Sequence, residues 1–256
     1  MMRVPMIAGN WKMHKTIGEA QEFFAKMEEI SFPKNVESVI CAPFLTLPTL
    51  IKDAKNKQIG LGAQNMHWEE QGAFTGEISP KMLQDLGIQY VIIGHSERRL
   101  YFAETDQGVG KKVKAALAHQ LIPIVCVGET LEERKSNQTK DVLKRQVLAA
   151  LEQLEPQDLE RLVIAYEPVW AIGTGQAATV EDAVEGIAWI REVIENKWSE
   201  QAAEKVRILY GGSVNPNNIA AFMDHSVIDG ALVGGASLDP DSFGKLVMAA
   251  AKREKA

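Results

Sequence analysis

Eight short apolar segments recur along the chain, and they constrain its fold more than any other feature. Most are continuous rather than alternating, as is typical of strands buried on both faces of a parallel sheet. Eight strand–helix units in 256 residues predict a closed (β/α)₈ barrel with an outer ring of helices. A doubly wound open sheet is the alternative, but it usually has fewer strands, and its dinucleotide-binding Gly-x-Gly-x-x-Gly turn is missing after the first segment. The segments are Val4–Ala8, Val36–Ala42, Ile59–Ala63, Tyr90–Ile93, Ile122–Val127, Leu162–Ala165, Val206–Tyr210 and Gly230–Val233.

Helical patterns fill the stretches between these segments. Residues Ile17–Ile30 are amphipathic, and Thr130 with Glu133 matches a capping box. The longest predicted helices span Leu131–Leu154 and Val180–Trp198. An N-cap residue precedes a proline suited to the first helical position at Ser79-Pro80, Asn215-Pro216 and Asp239-Pro240.

Composition and charge exclude several classes of protein. The net charge of −6 and the lack of a basic stripe argue against a nucleic-acid surface, and no apolar run is long enough for a membrane span. Cys41 and Cys126 lie in apolar segments, which indicates reduced, buried thiols rather than a disulfide scaffold. We therefore expect a cytoplasmic protein, and without a low-complexity linker we expect residues 1–256 to form one domain.

The sixth segment ends in a candidate general base. Glu167 closes the strand, and Pro168 after it cannot donate a ladder hydrogen bond. A hydrophobic loop then runs to Gly173-Thr174-Gly175. A carboxylate at a strand end, under a loop able to exclude water, suits proton abstraction. The alternative is an ordinary strand-to-helix connection with a surface glutamate.

Two further strand ends carry groups that suit acid–base chemistry. His95 follows the fourth segment and opens a helix, whose N–H groups would favour a neutral imidazole. Lys12 follows the first segment, where it would be a cation facing the substrate rather than a surface lysine. Asn10 would either cap a turn or donate to a substrate oxygen. The other histidines lack this placement, and we interpret them as structural.

Glycine pairs follow the last two segments, at Gly211-Gly212-Ser213 and Gly234-Gly235. Such pairs let backbone N–H groups and a helix N-terminus converge on a phosphate. The sequence shows no paired metal ligands and no Walker motif. Together these features favour proton abstraction beside the carbonyl of a small phosphorylated substrate.

A long polar excursion, 64–77, follows the third segment. It is expected to expose Met66, Trp68 and Phe74, and exposed apolar loop residues suggest a partner surface. The alternative is a loop folded over its own barrel.

These motifs together resemble the triosephosphate isomerase family across almost the whole chain. The resemblance implies a TIM barrel that interconverts dihydroxyacetone phosphate and D-glyceraldehyde 3-phosphate in glycolysis and gluconeogenesis, without a cofactor or metal. The matching stretches are Gly9-Asn10-Trp11-Lys12-Met13, Gly94-His95-Ser96-Glu97-Arg98-Arg99, Ala165 through Gly175, Tyr210-Gly211-Gly212-Ser213-Val214 and Val233-Gly234-Gly235-Ala236-Ser237-Leu238.

The resemblance also implies a role for each site residue. Glu167 would carry the proton between neighbouring carbons, and neutral His95 would polarise the carbonyl and shuttle protons between the enediolate oxygens. Lys12 would stabilise negative charge, Asn10 would hold the substrate oxygens, and Glu97 would support Lys12 and His95. The phosphate would be bound by Gly173, Ser213, Gly234 and Gly235, with Asn10 and Lys12 also contacting the substrate.

A lid and a homodimer are further implications of the resemblance. Lid closure would keep the enediolate from expelling phosphate in water. The loop from Gln64 to Ser79 would insert into a second copy, bringing Thr75 near that copy's Asn10 and Lys12. At the lid's second hinge the family often has Lys-Thr-Ala or Lys-Ser-Ala, whereas this chain has Gln176-Ala177-Ala178. The lid comprises Pro168, Val169, Trp170, Ala171, Ile172, Gly173, Thr174, Gly175, Gln176, Ala177 and Ala178.

Two alternative functions would use the same phosphate-binding end of the barrel. A sugar-phosphate epimerase or an indole-glycerol-phosphate-type lyase would need different groups at the strand ends, and epimerases of this class commonly need metal-binding His and Asp. A phosphosugar-binding module without activity would be favoured by loss of Lys12, His95 or Glu167, all of which are present.

Overall fold

A closed eight-stranded parallel barrel forms the centre of the structure, a computed structural model that describes residues 3–27, 30–171 and 178–252. Each strand pairs with its neighbours in chain order, and β1 also pairs with β8, with Met6 opposite both Glu37 and Gly230. The predicted barrel is confirmed. The strands are β1 Met6–Asn10, β2 Glu37–Cys41, β3 Gly60–Ala63, β4 Tyr90–Ile93, β5 Ile122–Val127, β6 Val163–Tyr166, β7 Arg207–Tyr210 and β8 Gly230–Val233.

Helices surround the barrel and follow its strands. None of the described helices has the length and apolar character needed to cross a membrane. Short 3₁₀ helices cover Pro156–Arg161, Val169–Ala171 and Gly235–Ser237. The α-helices are α1 Ile17–Lys26, α2 Leu47–Lys57, α3 Pro80–Asp85, α4 Ser96–Phe102, α5 Asp106–Ala118, α6 Leu131–Lys135, α7 Thr139–Ala150, α8 Val180–Lys197, α9 Glu200–Lys205, α10 Ile219–Met223 and α11 Pro240–Ala250.

Side chains fill the inside of the barrel, so it is a packed core rather than a channel. Alternate strand residues point inward, and the other set packs against the helices. Cys41 and Cys126 belong to the inner set, and both are buried and unpaired, as predicted. The remaining inner residues include Met6, Ala8, Val39, Tyr90, Ile92, Ile124, Val163, Ala165, Leu209 and Leu232.

Helix-start signals in the sequence gave mixed results. Thr130 and Glu133 form the predicted capping box, and the side chains of Ser79 and Asp239 cap α3 and α11. At Asn215 the prediction was wrong, because its side chain accepts from the Asn217 N–H within a turn and α10 begins only at Ile219.

The predicted helix over Leu131–Leu154 was wrong. It is two helices, α6 and α7, because Ser136 ends the first and Asn137 takes a left-handed conformation with φ 55°. Asparagine is one of the few residues that adopts this conformation readily. An uninterrupted helical pattern concealed the break.

Several predicted elements begin or end at a different residue, and strand β1 and helix α1 differ most. Strand β1 begins at Met6 rather than Val4, since its pairing with β2 and β8 starts there and Pro5 before it has no N–H to donate. Helix α1 ends at Lys26 rather than Ile30, with Met27 as its C-cap.

The excursion after β3 is only partly exposed. Met66 is fully buried, so its predicted exposure was wrong, while Phe74 is 44% exposed and Trp68 is half-buried. The His67 ring lies between Trp68 and Phe74, with centroids 4.3 and 4.2 Å away. Polar neighbours in the sequence hid the fact that Met66 belongs to the core.

Candidate active site

A cavity of about 360 Å³ opens at the carboxyl ends of the strands. Polar side chains on its wall come from the ends of β1, β4, β6 and β7, and backbone from the ends of β7 and β8 completes it. The structure therefore brings together residues that are far apart in the sequence. Its lining includes Asn10, Lys12, His95, Glu167, Gly211, Gly212, Ser213, Gly234 and Gly235.

Glu167 lies immediately after β6, and its side chain is buried. Its Oε1 is 2.9 Å from His95 Nε2, and its Oε2 accepts a 3.0 Å hydrogen bond from the Ser96 N–H. Burial raises the pKa of Glu167, but His95, the Ser96 N–H and Lys12 together outweigh burial and lower it. Glu167 is therefore an ionised carboxylate, the state that a general base requires.

His95 is the N-cap residue of α4. Its Nδ1 accepts a hydrogen bond of 3.2 Å from the Glu97 N–H, so the proton of a neutral imidazole lies on Nε2, which donates to Glu167. Burial lowers the pKa of His95, but the carboxylates of Glu167 and Glu97 raise it by more than burial lowers it. The pKa of His95 is therefore raised overall. The helix terminus thus selects the tautomer, but the neighbouring carboxylates reverse the expected direction of the pKa shift.

Lys12 reaches the cavity from a strained turn after β1. Its φ of 51° is left-handed, a conformation that costs a non-glycine residue about 1–3 kcal/mol. Its N–H donates to Asn10 Oδ1 at 3.0 Å, and its Nζ lies 2.6 Å from Glu97 Oε1. Asn10 therefore caps the turn, as one of the two interpretations from sequence expected, and it also lines the cavity.

Both glycine pairs line the cavity. A Cβ added to Gly211 would lie 2.8 Å from Glu167 Cγ, so a larger residue would displace the carboxylate. Gly235 begins the 3₁₀ helix, and the first N–H groups of a helix have no acceptor inside it. The Ser213 hydroxyl donates to the Ala171 carbonyl at 3.1 Å, which connects the end of β7 to the first end of the predicted lid.

Only the two ends of the predicted lid belong to the described residues. Pro168 and the 3₁₀ helix Val169–Ala171 form the first end, and Ala178, just before the N-cap Thr179 of α8, forms the second. The predicted lid residues Ile172, Gly173, Thr174, Gly175, Gln176 and Ala177 lie outside the described residues.

Glu129 is the residue that sequence reasoning missed, since Gly128-Glu129-Thr130 looked like a turn and a cap. It is fully buried, and its carboxylate accepts from Tyr166 Oη at 3.1 Å and Trp170 Nε1 at 2.8 Å. The Arg134 guanidinium lies 3.5 Å from Glu129 Oε1 and 4.4 Å from the centroid of the Trp170 ring. Burial raises the pKa of Glu129 and the hydrogen bonds only partly oppose it. Nothing next to Glu129 in the sequence marks it as buried.

Thr75 lies away from these groups, exposed in the loop after β3. Within the described part of the chain, no group of three or more His, Cys, Asp or Glu side chains is placed to hold a metal ion.

The sequence pattern of one family covers most of the chain: the triosephosphate isomerase family model matches residues 5–250. The chain belongs to the triosephosphate isomerase family. It is 53% identical over 246 residues to a triosephosphate isomerase of Clostridium botulinum (strain Langeland), covering 96% of this chain and 99% of that relative. It is also 53% identical over 242 residues to a triosephosphate isomerase of Alkaliphilus metalliredigens, covering 94% and 98%.

Proposed function

We propose that Glu167, His95 and Lys12 carry out the isomerase reaction of this family, the interconversion of dihydroxyacetone phosphate and D-glyceraldehyde 3-phosphate. Glu167 removes a proton from the carbon beside the carbonyl and returns it to the neighbouring carbon. The observation that carries this proposal is the buried Glu167 carboxylate, which lines the cavity with its Oε1 2.9 Å from His95 Nε2.

His95 and Lys12 stabilise the charge that develops on the substrate. The Nε2–H of His95 donates to Glu167 in the unliganded chain, and the same group donates to the substrate carbonyl when Glu167 turns to the carbon. Lys12 supplies a positive charge to the enediolate and the phosphate. Asn10 holds the substrate oxygens, and Glu97, paired to Lys12 Nζ, orients that ammonium.

The phosphate binds at the wall formed by Ser213, Gly234 and Gly235. These residues line the same cavity as Glu167, and Gly173 joins them when the segment 168–178 closes as a lid. Closure keeps water from the enediolate and limits the expulsion of phosphate. Residues 1–256 act as one catalytic domain.

A homodimer is part of the same proposal. Exposed apolar side chains follow β1 to β4, which are neighbours in the barrel, and Met13 among them is 95% exposed. A surface of this kind suits a second copy, with the loop 64–79 inserted and Thr75 near that copy's Asn10 and Lys12. A cytoplasmic location suits the two unpaired cysteines. The side chains concerned are Met13, Leu45, Phe74, Met82, Leu100, Tyr101 and Phe102.

A coupled assay tests the proposed reaction. Glyceraldehyde 3-phosphate is supplied, and dihydroxyacetone phosphate is followed through NADH oxidation by a reductase. We expect turnover by the intact chain and strong loss in Glu167→Gln. Phosphosugar binding without turnover would indicate a binding module instead. Light scattering across protein concentrations tests the dimer separately.

A further inference from the structure

Gln64, the first residue after β3, connects the ends of two other strands. Its Nε2 donates to the Lys12 carbonyl at 2.9 Å and to the Cys41 carbonyl at 3.0 Å. Both acceptors are backbone carbonyls, so the group between them must be a donor with two hydrogens. An amide NH₂ meets this need, whereas a carboxylate offers only acceptors. The partners therefore fix both the identity and the orientation of this side chain.

Lys12 is the residue whose conformation needs this support. Its backbone is left-handed, with φ 51°, which is uncommon outside glycine. The Asn10 side chain holds the Lys12 N–H, and the Gln64 side chain holds the Lys12 carbonyl. Side-chain amides thus bind the residue from both sides. Relaxation of the turn to a negative φ would redirect the ammonium away from the cavity that it lines.

We infer that Gln64 is a positioning residue for Lys12: it holds the left-handed turn that directs the ammonium toward the substrate. This inference rests on the role of Lys12 given under Proposed function. Gln64 also begins the loop 64–79, so the same hydrogen bonds join the proposed dimer loop to Lys12. Activity and assembly must therefore be measured on the same samples.

Two variants remove the donor group. Gln64→Met keeps the length of the side chain without its hydrogen bonds, and Gln64→Glu places acceptors against two carbonyls. We expect kcat/KM to fall about tenfold to a hundredfold, as when a catalytic group is displaced by about 1 Å. We also expect inorganic phosphate to be a weaker competitive inhibitor of both variants, because binding of that anion also depends on the position of the ammonium.

Gln89→Met is the matched control. Gln89 also binds backbone through its side-chain amide, accepting from the Leu61 N–H at 3.3 Å, but it lies before β4, at the far end of the barrel. We expect its kcat/KM to stay within about twofold of the parent chain. All variants are compared at a concentration at which light scattering gives the same mass, and circular dichroism verifies folding.

A double-variant cycle with Lys12→Met separates positioning from general stability. If Gln64 acts through Lys12, adding Gln64→Met to Lys12→Met changes kcat/KM and phosphate inhibition by less than about twofold. If the losses in kcat/KM of the two single variants multiply in the double variant, the inference is overturned. It is also overturned if Gln64→Met has the kinetics and phosphate affinity of the parent chain. If Lys12→Met alone behaves like the parent chain, the proposed role of Lys12 fails instead. If Gln64→Met does not fold, Gln64→Asn, which keeps an amide but shortens it, takes its place in the cycle.

Discussion

Glu129 and Glu167 are two buried carboxylates at the ends of adjacent strands, yet their pKa values shift in opposite directions. Glu167 faces the cavity and has a histidine, a backbone N–H and a nearby lysine, which lower its pKa. Glu129 lies behind the start of the proposed lid, and burial raises its pKa although Tyr166, Trp170 and the Arg134 guanidinium oppose this. Burial alone therefore does not make a general base. For each carboxylate, the balance between burial and its partners sets the direction of the pKa shift.

The largest expected effect is that of Glu167→Gln, which tests whether Glu167 is the general base. The amide cannot accept a proton from the substrate, so we expect kcat to fall about 10²- to 10⁴-fold, the usual contribution of a general base. The fold should persist because the variant keeps the shape of the side chain, and far-UV circular dichroism checks this. A folded variant with kcat close to that of the parent would remove Glu167 from the mechanism.

The same variant should also move the titration of His95. Glu167 is the largest factor raising the pKa of His95, so its removal leaves burial and Lys12, which lower the pKa, opposed mainly by Glu97. We expect the pKa of His95 in unliganded Glu167→Gln to lie below that of the parent. NMR titration of the imidazole measures the pKa of His95 in the parent and in the variant. An unchanged pKa would contradict the contact between His95 and Glu167.

Glu129→Gln should have a much smaller effect on activity. Its amide oxygen can still accept from Tyr166 and Trp170, so we expect kcat/KM within about tenfold of the parent, against the much larger loss in Glu167→Gln. Steady-state kinetics of the two variants, prepared in parallel, make the comparison. Equal losses would mean that Glu129 takes part in the chemistry.

The smallest expected effect is on stability. The pKa of Glu129 is raised from its ordinary value of 4.5, so the protonated side chain contributes stability that is present below pH 4.5 and is lost as the pH rises through the folded-state pKa. The amide in Glu129→Gln carries no charge and lacks this dependence. The stability of Glu129→Gln relative to the parent should therefore be greater at pH 7.5 than at pH 5, by about 1 kcal/mol or less. Urea unfolding at both pH values, at equal protein concentration, measures it, and the opposite trend would contradict the raised pKa.

The contrast between the two glutamates also shows what sequence can and cannot predict. Continuous apolar runs located all eight strands within a few residues, because strands buried on both faces leave little room for polar residues. The strand ends then placed His95 and Glu167 at one face. Glu129 was missed because Tyr166 and Trp170, which surround it, lie 37 and 41 residues further along the chain.

Local breaks and loop packing were equally hard to predict. Asn137 interrupts a helical pattern through its own backbone conformation, which periodicity does not register. Met66 is surrounded in sequence by polar residues but packs into the core. Both features depend on tertiary contacts or single dihedral angles rather than on pattern.

Hydrogen exchange into the substrate tests the role of Glu167 most directly. Dihydroxyacetone phosphate is incubated in D₂O with the parent chain or with folded Glu167→Gln, and NMR follows deuterium at the carbon that loses its proton. We predict rapid incorporation with the parent, and with Glu167→Gln a rate lower by about 10²-fold or more. Incorporation by Glu167→Gln at a rate within tenfold of the parent would contradict Glu167 as the base.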